Sequence, residues 1–236
     1  MTVDLGEFTA EVVLKAIKNV HLSVYPPRGA VRISAPLHMQ PDTIRVFALS
    51  KLSWLKQQRR KIQEQERETA REYLSAESHY VWGKRYLLRI EETLGPSSYF
   101  LEPRHLVLRL HPQTAPASRA ELLEAWYRDL LKAEINVLLP LWQPRLGVRT
   151  QRFSVQKMKT RWGSCQPETK TIRLNTELAR KPKECLTYVV VHELVHLIEP
   201  HHSPRFVALM DQFLPEWPRL RDLLNRLPLS HWDWEY

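Results

Sequence analysis

The amino-acid sequence predicts an α+β fold, in which a mostly antiparallel β-rich domain with one long helix precedes a mixed domain built around a central helix. Several short segments of the first half alternate apolar and polar residues, the period-two pattern of a strand buried on one side. Longer segments in both halves repeat apolar residues every three or four positions, as helices do. Hydrophobic residues make up 43% of the chain and charged residues 26%, a balance that favours a globular protein.

The length of 236 residues is sufficient for two small domains with their own cores. A short segment rich in proline, alanine and serine, HPQTAPAS at residues 111–118, separates the two kinds of pattern. Segments of this composition commonly connect domains. We therefore expect a β-rich domain over residues 1–112 and a second domain over residues 113–236.

The predicted β-rich domain opens with a hairpin at residues 19–36, where two alternating segments flank a Pro-Pro-Arg-Gly turn. Apolar residues then recur with helical spacing, and this pattern continues into a charged stretch. Together they predict one long helix over about residues 42–73. Residues 79–92 and 105–110 alternate again and are separated by turn residues, so they predict further short strands.

The second domain is predicted to begin with a long helix. Ser118 and Glu121 have the spacing of a capping box, and Pro140 is expected to end or kink the helix. Residues 152–165 and 169–175 then favour two strands joined at a Gly-Ser-Cys turn. The helix that follows contains the candidate metal-binding residues.

This next helix starts at Pro182 and is apolar around most of its circumference, so it should be buried at the centre of the domain. His192 and His196 stand one turn apart on one face, about 5–6 Å between Cβ atoms, as two imidazoles that share a zinc ion require. Glu193 lies beside them, where its carboxylate can accept a proton from zinc-bound water without being a ligand. Burying these three groups without a metal would be costly.

A catalytic zinc ion needs a third protein ligand and an open fourth position. A proline should stop the helix and a Ser-Pro pair should start the next, which leaves His201 and His202 in the connection. His202 has the metzincin offset from His196, but Glu199 stands where that pattern needs glycine, so the metzincin interpretation fails. The residues favour His202 as third ligand, then Glu216 as in thermolysin-like sites, then His201.

Two segments, KTRWGSCQPETKTIRLNTELARKP and YVVVHELVHLIEPHHSPRF, resemble the YgjP-like family of zinc metallopeptidases, relatives of the SprT-like proteases. The resemblance extends to the N-terminal hairpin and the helix bearing Trp54, so it spans nearly the whole chain. It implies a zincin-like fold for the second domain and zinc as the cofactor. The ligands it implies are His192, His196 and His202, with Glu193 as the general base. The family usually has another residue in place of His201.

The RWGSC segment and the strand after it supply candidate substrate-binding residues, Arg161, Trp162 and Asn175. The Arg161 guanidinium can hold a carboxylate, a phosphate or a developing oxyanion, and the alternative is a structural arginine packed on Trp162. The strand at residues 171–175 could pair through a free edge with an extended peptide. Cys165 lacks zinc-finger spacing and is predicted to be a small buried residue at the turn.

The formal net charge of +9 and the pI of about 9.7 predict an acidic partner. Arg59, Arg60 and Lys61 in the charged helix could contact an acidic partner such as nucleic acid, although charge runs of this kind more commonly form a solvated helix face. SprT-like proteases act on DNA-bound proteins, so the resemblance also implies a nucleic-acid association.

Three features of the sequence predict where in the cell the protein is located. Two cysteines are too few for a disulfide framework, acidic residues stand where a signal peptide needs positive charge, and no apolar run approaches the length of a membrane span. We therefore expect a cytoplasmic protein without a membrane anchor. The C-terminal tail LSHWDWEY is expected to pack on the core.

These features predict a zinc-dependent hydrolase, first of all a metallopeptidase that acts on a peptide or protein. Members of the family it resembles hydrolyse nucleoside triphosphates, UTP in particular, so the resemblance implies a pyrophosphatase as the alternative. A nucleic-acid-associated protease or binding module is a third hypothesis. A P-loop nucleotidase is excluded because the 6 glycines form no phosphate loop. A purely structural zinc site is disfavoured because it would need a fourth protein ligand.

Overall fold

The structure of the chain, a computed structural model, describes residues 1–25, 28–64, 71–158 and 161–228. Contacts between Cα atoms divide the chain into two compact units, Met1–Glu66 and Arg67–His231. The boundary predicted after residue 112 lies inside the second unit, because the strands before that residue share one core with the helices after it. The tail at residues 229–236 lies outside the described residues.

The first unit contains a four-stranded sheet and two helices. Its elements are β1 (Thr2–Asp4), β2 (Thr9–Lys15), β3 (His21–Tyr25), β4 (Ala30–Pro36), α1 (Pro41–Ser50) and α2 (Leu52–Glu64). The strand order is β1-β2-β4-β3, with antiparallel outer pairs and a parallel β2–β4 pair at the centre. The predicted β3–β4 hairpin is confirmed, and Ile33, Ala48 and Leu55 lie fully buried in this unit's core.

The long helix predicted over residues 42–73 is wrong in its extent. Lys51 leaves helical geometry and its backbone N–H bonds back to Ala48, so α1 and α2 are separate helices. The last described residue of α2 is Glu64, and residues 71–73 are not helical. Residues 65–70 lie outside the described parts of the chain.

Two of the three basic residues singled out on α2 make contacts within the first unit. Arg59 donates to the carbonyl of Gly29 at 2.9 Å, and its guanidinium lies 4.0 Å from the ring centroid of Phe8. Arg60 lies 3.6 Å from the Glu64 carboxylate. The side chain of Lys61 is outside the described atoms, and an association with nucleic acid stays a prediction.

The second unit begins with another four-stranded sheet followed by a long helix. Its elements are β5 (Ser78–Val81), β6 (Lys84–Glu92), β7 (Ser98–Leu101), β8 (His105–Leu110) and α3 (Pro116–Leu146). The strand order is β5-β6-β8-β7, again with antiparallel outer pairs and a parallel pair at the centre. Tyr127, Leu131 and Ile135 of α3 are fully buried in the core of this unit.

The predicted start of α3, and Pro140 as its end, need correction. The helix starts at Pro116 after Ala115, with no side-chain cap, so the expected capping box at Ser118 does not form its start. It continues through Pro140 and ends at Gly147, whose φ of +66° suits the left-handed conformation of a helix end.

A three-stranded sheet follows α3 in the chain. Its strands are β9 (Arg152–Gln156), β10 (Gly163–Gln166) and β11 (Thr171–Asn175). β11 lies at the centre, antiparallel to β10 and parallel to β9. The segment predicted as one strand is therefore two, and Gly163, Ser164 and Cys165 belong to β10 and not to a turn. β11 has both edges paired, so the expected free edge is not on β11, and the edge strands of this sheet are β10 and β9.

The helices of the site complete the α+β fold. A 3₁₀ turn (Thr176–Arg180) leads into α4 (Lys183–Val195), and α5 (Pro204–Phe213) and α6 (Trp217–Arg226) follow. α4 is buried on most sides, as its apolar circumference predicts. Among the described residues, no helix combines the length and the apolar character needed to cross a membrane.

Candidate active site

Three histidines gather at the C-terminal end of α4. His192 lies in its last turn, His196 caps it, and His202 lies in the connection that leads to α5. Their ligand nitrogen atoms all lie within 4.8 Å of one another. Within the described parts of the chain, no other set of three histidine, cysteine or acidic residues comes together in this way.

Hydrogen bonding orients the rings of this cluster. Nδ1 of His196 lies 3.1 Å from the carbonyl oxygen of Glu199. Because a carbonyl only accepts, Nδ1 carries the proton and Nε2 keeps its lone pair for a metal. Nε2 of His202 lies 3.0 Å from Nε2 of His192. Zinc–nitrogen bonds of about 2.0–2.1 Å in tetrahedral geometry separate ligand nitrogens by about 3.3 Å, so this pair fits a shared ion.

One aromatic ring packs against all three imidazoles. The centroid of Phe206 lies 4.9 Å from that of His192, 4.6 Å from that of His196 and 4.8 Å from that of His202. Phe206 is on α5, whose predicted cap Ser203 accepts a hydrogen bond from the Phe206 backbone N–H at 3.3 Å. The start of α5 therefore supports the histidine cluster from one side.

Two of the histidines are held in the neutral form that binds metals. Burial, followed by the neighbouring His196 and His202, lowers the pKa of His192 to about 3. Burial also lowers the pKa of His196. Neutral imidazole is the metal-binding form, so these surroundings favour a cation more than a proton at the cluster.

Glu193 is the buried carboxylate beside the cluster. Its side chain is on α4 and is only 4% exposed. Burial raises the pKa of Glu193 to about 8, and the charge of Arg161 opposes that rise. Its Oε2 atom has no hydrogen-bond partner among the described residues. A buried oxygen without a partner is costly unless it faces a bound ion or water, so these residues fit a catalytic metal.

The alternative third ligands lie elsewhere. His201 is exposed, and its backbone N–H contacts the Glu199 carboxylate at 3.4 Å. Glu216 precedes α6 and accepts a hydrogen bond from Arg219 at 2.9 Å. Glu199 contacts His196 through its backbone and not through its side chain. The structure therefore brings His202, and neither His201 nor Glu216, to the first two histidines.

A cavity of about 560 Å³ opens in front of the histidines. Glu193 lies in its wall together with β10, and two of the predicted substrate-binding residues, Arg161 and Trp162, line it as well. Arg161 is exposed and Trp162 is partly buried. The cavity is therefore bounded by the candidate metal cluster on one side and by β10, an edge strand of the sheet, on the other.

Tyr188 and Cys165 also line this cavity. Burial raises the pKa of the Tyr188 phenol to about 12, so the hydroxyl keeps its proton and stays a hydrogen-bond donor. Burial likewise raises the pKa of Cys165 to about 12, which disfavours the thiolate that a nucleophile or zinc ligand needs. Sequence reasoning missed Tyr188, although its position four residues before His192 places both on one helix face.

Asn175, the third predicted substrate-binding residue, has a different position. It is 4% exposed at the end of β11, and its side-chain amide donates to the carbonyls of Met158 and Arg161, both at 2.8 Å. Its side-chain oxygen accepts from the backbone N–H of Glu177 at 3.2 Å. These bonds occupy the amide, so Asn175 anchors the segment before β10 and does not face the cavity.

Over part of its length, the chain is similar to two solved metallopeptidase zymogens. A search of curated proteins gave no significant match. Among solved structures, the metallopeptidase zymogen abylysin of Pyrococcus abyssi is 22% identical with a TM-score of 0.36, over 38% of this chain and 90% of abylysin. The metallopeptidase zymogen jannalysin of Methanocaldococcus jannaschii is 22% identical with a TM-score of 0.34, over 40% of this chain and 92% of jannalysin.

The family comparison covers much more of the chain. The family description that matches is "YgjP-like, metallopeptidase domain", and the match runs over residues 18–227. It includes the sheet of the first unit from β3 onwards, the cavity wall and all three histidines of the cluster. The chain therefore belongs to the YgjP-like family of metallopeptidase domains.

Proposed function

We propose that this protein is a zinc-dependent peptidase in which His192, His196 and His202 hold the metal and Glu193 is the general base. The observation that carries this proposal is the cluster of three ligand nitrogens beside a buried carboxylate oxygen without a partner among the described residues. A three-histidine set leaves a coordination position for water or substrate, as catalytic zinc sites do.

The metal and Glu193 have different roles in the proposed reaction. A bound zinc ion supplies a Lewis acid that polarises a carbonyl and lowers the pKa of its water to about 7. Glu193 accepts the proton from the attacking water and returns it to the leaving amine. Burial raises the pKa of Glu193 to about 8 without a metal, and the positive charge of a bound zinc ion would lower it again, so that the carboxylate can accept a proton near neutral pH.

Two further side chains bind and orient the substrate in this scheme. Arg161, exposed on the cavity wall, attracts the oxygens of the substrate or of its transition state. Tyr188 offers a phenolic hydrogen that stays protonated at any physiological pH. The free edge of β10 can align an extended chain by backbone hydrogen bonds.

The test compares the wild type with Glu193→Gln, which keeps the side-chain size and removes the base. We expect both proteins to bind one zinc ion per chain, measured by metal analysis after dialysis. We expect hydrolysis of a fluorogenic peptide library by the wild type only, with a loss of about 10²–10⁴-fold in the variant. A chelator should abolish the activity and added zinc should restore it.

Glu199→Gln is the matched control, because it removes a nearby carboxylate that, among the described residues, accepts a hydrogen bond from the backbone N–H of His201. It should keep wild-type activity. Full activity of Glu193→Gln, or absence of bound zinc in the wild type, would contradict the proposal.

A nucleoside triphosphate is the second candidate substrate. The exposed guanidinium of Arg161 in the cavity and the net charge of +9 favour an anionic ligand. The same pair of proteins should therefore be assayed for pyrophosphate release from UTP. Release by the wild type that Glu193→Gln lacks, without peptide cleavage, would replace the peptidase proposal by a nucleotide hydrolase with the same site.

A further inference from the structure

The backbone of β10 approaches the carboxylate of Glu193 so closely that no side chain fits between them. A Cβ atom built on Gly163 would lie 2.5 Å from Oε1 of Glu193 and 2.9 Å from its Cδ and Cγ atoms. Real Cβ contacts are essentially never shorter than 3.0 Å. The backbone conformation of Gly163 is not left-handed, so the need for glycine at this position comes from this contact.

The atoms of this contact decide what a substitution there would do. All three contacted atoms belong to the end of the Glu193 side chain, which can rotate away from a new methyl group at small cost. The methyl group would therefore move the carboxylate and leave the fold in place.

The strand itself cannot easily withdraw from the carboxylate. Gly163 pairs with Leu174 in the β10–β11 ladder, and the backbone N–H of Asn175 donates to the carbonyl of Trp162 at 2.9 Å. The Asn175 side chain holds the carbonyl of Arg161, one residue earlier. Anchored in this way, the backbone of Gly163 forms a fixed wall against Glu193.

We propose that Gly163 is a positioning residue of the reaction: its bare backbone, anchored by Asn175, sets the place of the Glu193 carboxylate against the cavity. This inference rests on the proposed function, since it gives Glu193 the role of the base. It also accounts for the glycine of the RWGSC segment, for which the sequence alone predicts only a turn.

The experiment uses Gly163→Ala in the full-length, zinc-loaded protein. We expect kcat to fall about 100-fold, because displacing a reacting group by about 1 Å can cost that much. KM should stay within about twofold, zinc content should be unchanged, and the unfolding midpoint should shift by less than about 3 °C. A merely structural glycine would instead lower the unfolding midpoint or change kcat and KM together.

Two further variants make the test specific. Gly95→Ala is the matched control, because a Cβ there would meet only Thr93 at 3.4 Å, an ordinary contact distance. It should behave as the wild type. In a Glu193→Gln background, Gly163→Ala should cause no further loss of kcat, because no base is left to displace.

The outcomes separate this inference from the proposed function. If Glu193→Gln is inactive while Gly163→Ala retains full kcat, the positioning role is overturned and the peptidase proposal stands. If Glu193→Gln is active, the proposed function and the catalytic part of this inference both fail, and a crystal structure of Gly163→Ala decides only whether Gly163 sets the place of the carboxylate. A displaced carboxylate with unmoved histidine rings would support the contact, whereas an unmoved carboxylate would overturn it.

Discussion

Phe206 packs against all three imidazole rings of the histidine cluster and is only 4% exposed. Phe206→Ala would remove the ring that holds the three imidazoles in their relative positions. We expect zinc affinity to fall about 10–100-fold, the range seen when the support of metal ligands is removed. Competition with a fluorescent chelator measures the affinity. Phe206→Leu, which keeps most of the volume, should lose less, and equal affinities for all three proteins would contradict this role.

Another buried histidine lies in the second unit, on β5. His79 is fully buried, and its Nδ1 lies 2.5 Å from a guanidinium nitrogen of Arg71. Because a guanidinium only donates, Nδ1 accepts and the imidazole is neutral. Burial, with help from the charges of Arg71 and Arg180, lowers the pKa of His79 to about 3. The unfolded chain keeps a pKa of about 6.5 at this residue.

This difference predicts how stability depends on pH. Between about pH 6.5 and pH 3, the unfolded chain binds a proton at His79 that the folded chain does not bind. The free energy of unfolding is therefore highest above pH 6.5 and falls as the pH is lowered, by up to about 1.4 kcal/mol per pH unit from this residue. Urea titrations between pH 7 and pH 5 should show a smaller decrease for His79→Gln. Parallel curves for the two proteins would rule out this contribution.

At the residue scale, sequence spacing identifies two of the histidines in the cluster and ranks His202 first among three candidates for the third. His192 and His196 share a helix face, and a short connection brings His202 back to them. The contact of Gly163 with Glu193 could not be predicted, because it depends on how β10 packs on α4. Asn175 illustrates a related difficulty. A polar residue at the end of a strand has the same sequence pattern whether it binds a substrate or caps a neighbouring loop.

At the scale of elements, the turn between β5 and β6 contacts the beginning of α4. The backbone N–H groups of Trp82 and Gly83 donate to the carbonyls of Ala179 and Arg180, at 2.8 and 3.2 Å. Gly83 has a φ of +77°, and a Cβ atom there would lie 2.8 Å from Cγ of Pro182, which caps α4. The sheet β5–β8 thus positions the N-terminal end of the helix that carries the site.

Gly83→Ala should therefore be strongly destabilising. It adds the strain of a left-handed alanine, about 1–2 kcal/mol, to a clash with a rigid proline ring. We expect a loss of at least about 2 kcal/mol in the free energy of unfolding, measured by urea titration. Gly147→Ala is the comparison, since it has a similar φ of +66° and no described atom within 4 Å of its added Cβ. Equal losses in the two variants would show that the contact with Pro182 contributes nothing.

Elements with a strong local pattern were predicted, and elements defined by their partners were not. The β3–β4 hairpin and α4 carry clear periodicity and are confirmed. The parallel β2–β4 pairing joins strands that are not neighbours in the chain, so no local pattern indicates it. The break at Lys51 has neither glycine nor proline to mark it. Pro140 and Pro144 both lie within α3, so a proline in a helical pattern does not mark the end of this helix.

At the scale of the whole molecule, each unit has its own hydrophobic core. Separate cores predict that the two units open as distinct cooperative groups. Ile33→Ala, in the core of the first unit, should cost about 2–5 kcal/mol there. Hydrogen exchange followed by mass spectrometry should show faster exchange in the first unit and little change in α3 and α4. An equal loss of protection in both units would contradict independent opening.

The two four-stranded sheets have the same strand order and the same pattern of parallel and antiparallel pairs. In each, the first two strands are joined by a turn with a left-handed glycine, Gly6 with a φ of +91° and Gly83 with a φ of +77°. No described atom lies within 4 Å of a Cβ added to Gly6, whereas Gly83 is pressed against Pro182. The same turn is therefore limited in two different ways: at Gly6 only the left-handed backbone disfavours a side chain, whereas at Gly83 a side chain would also require a matching change at Pro182.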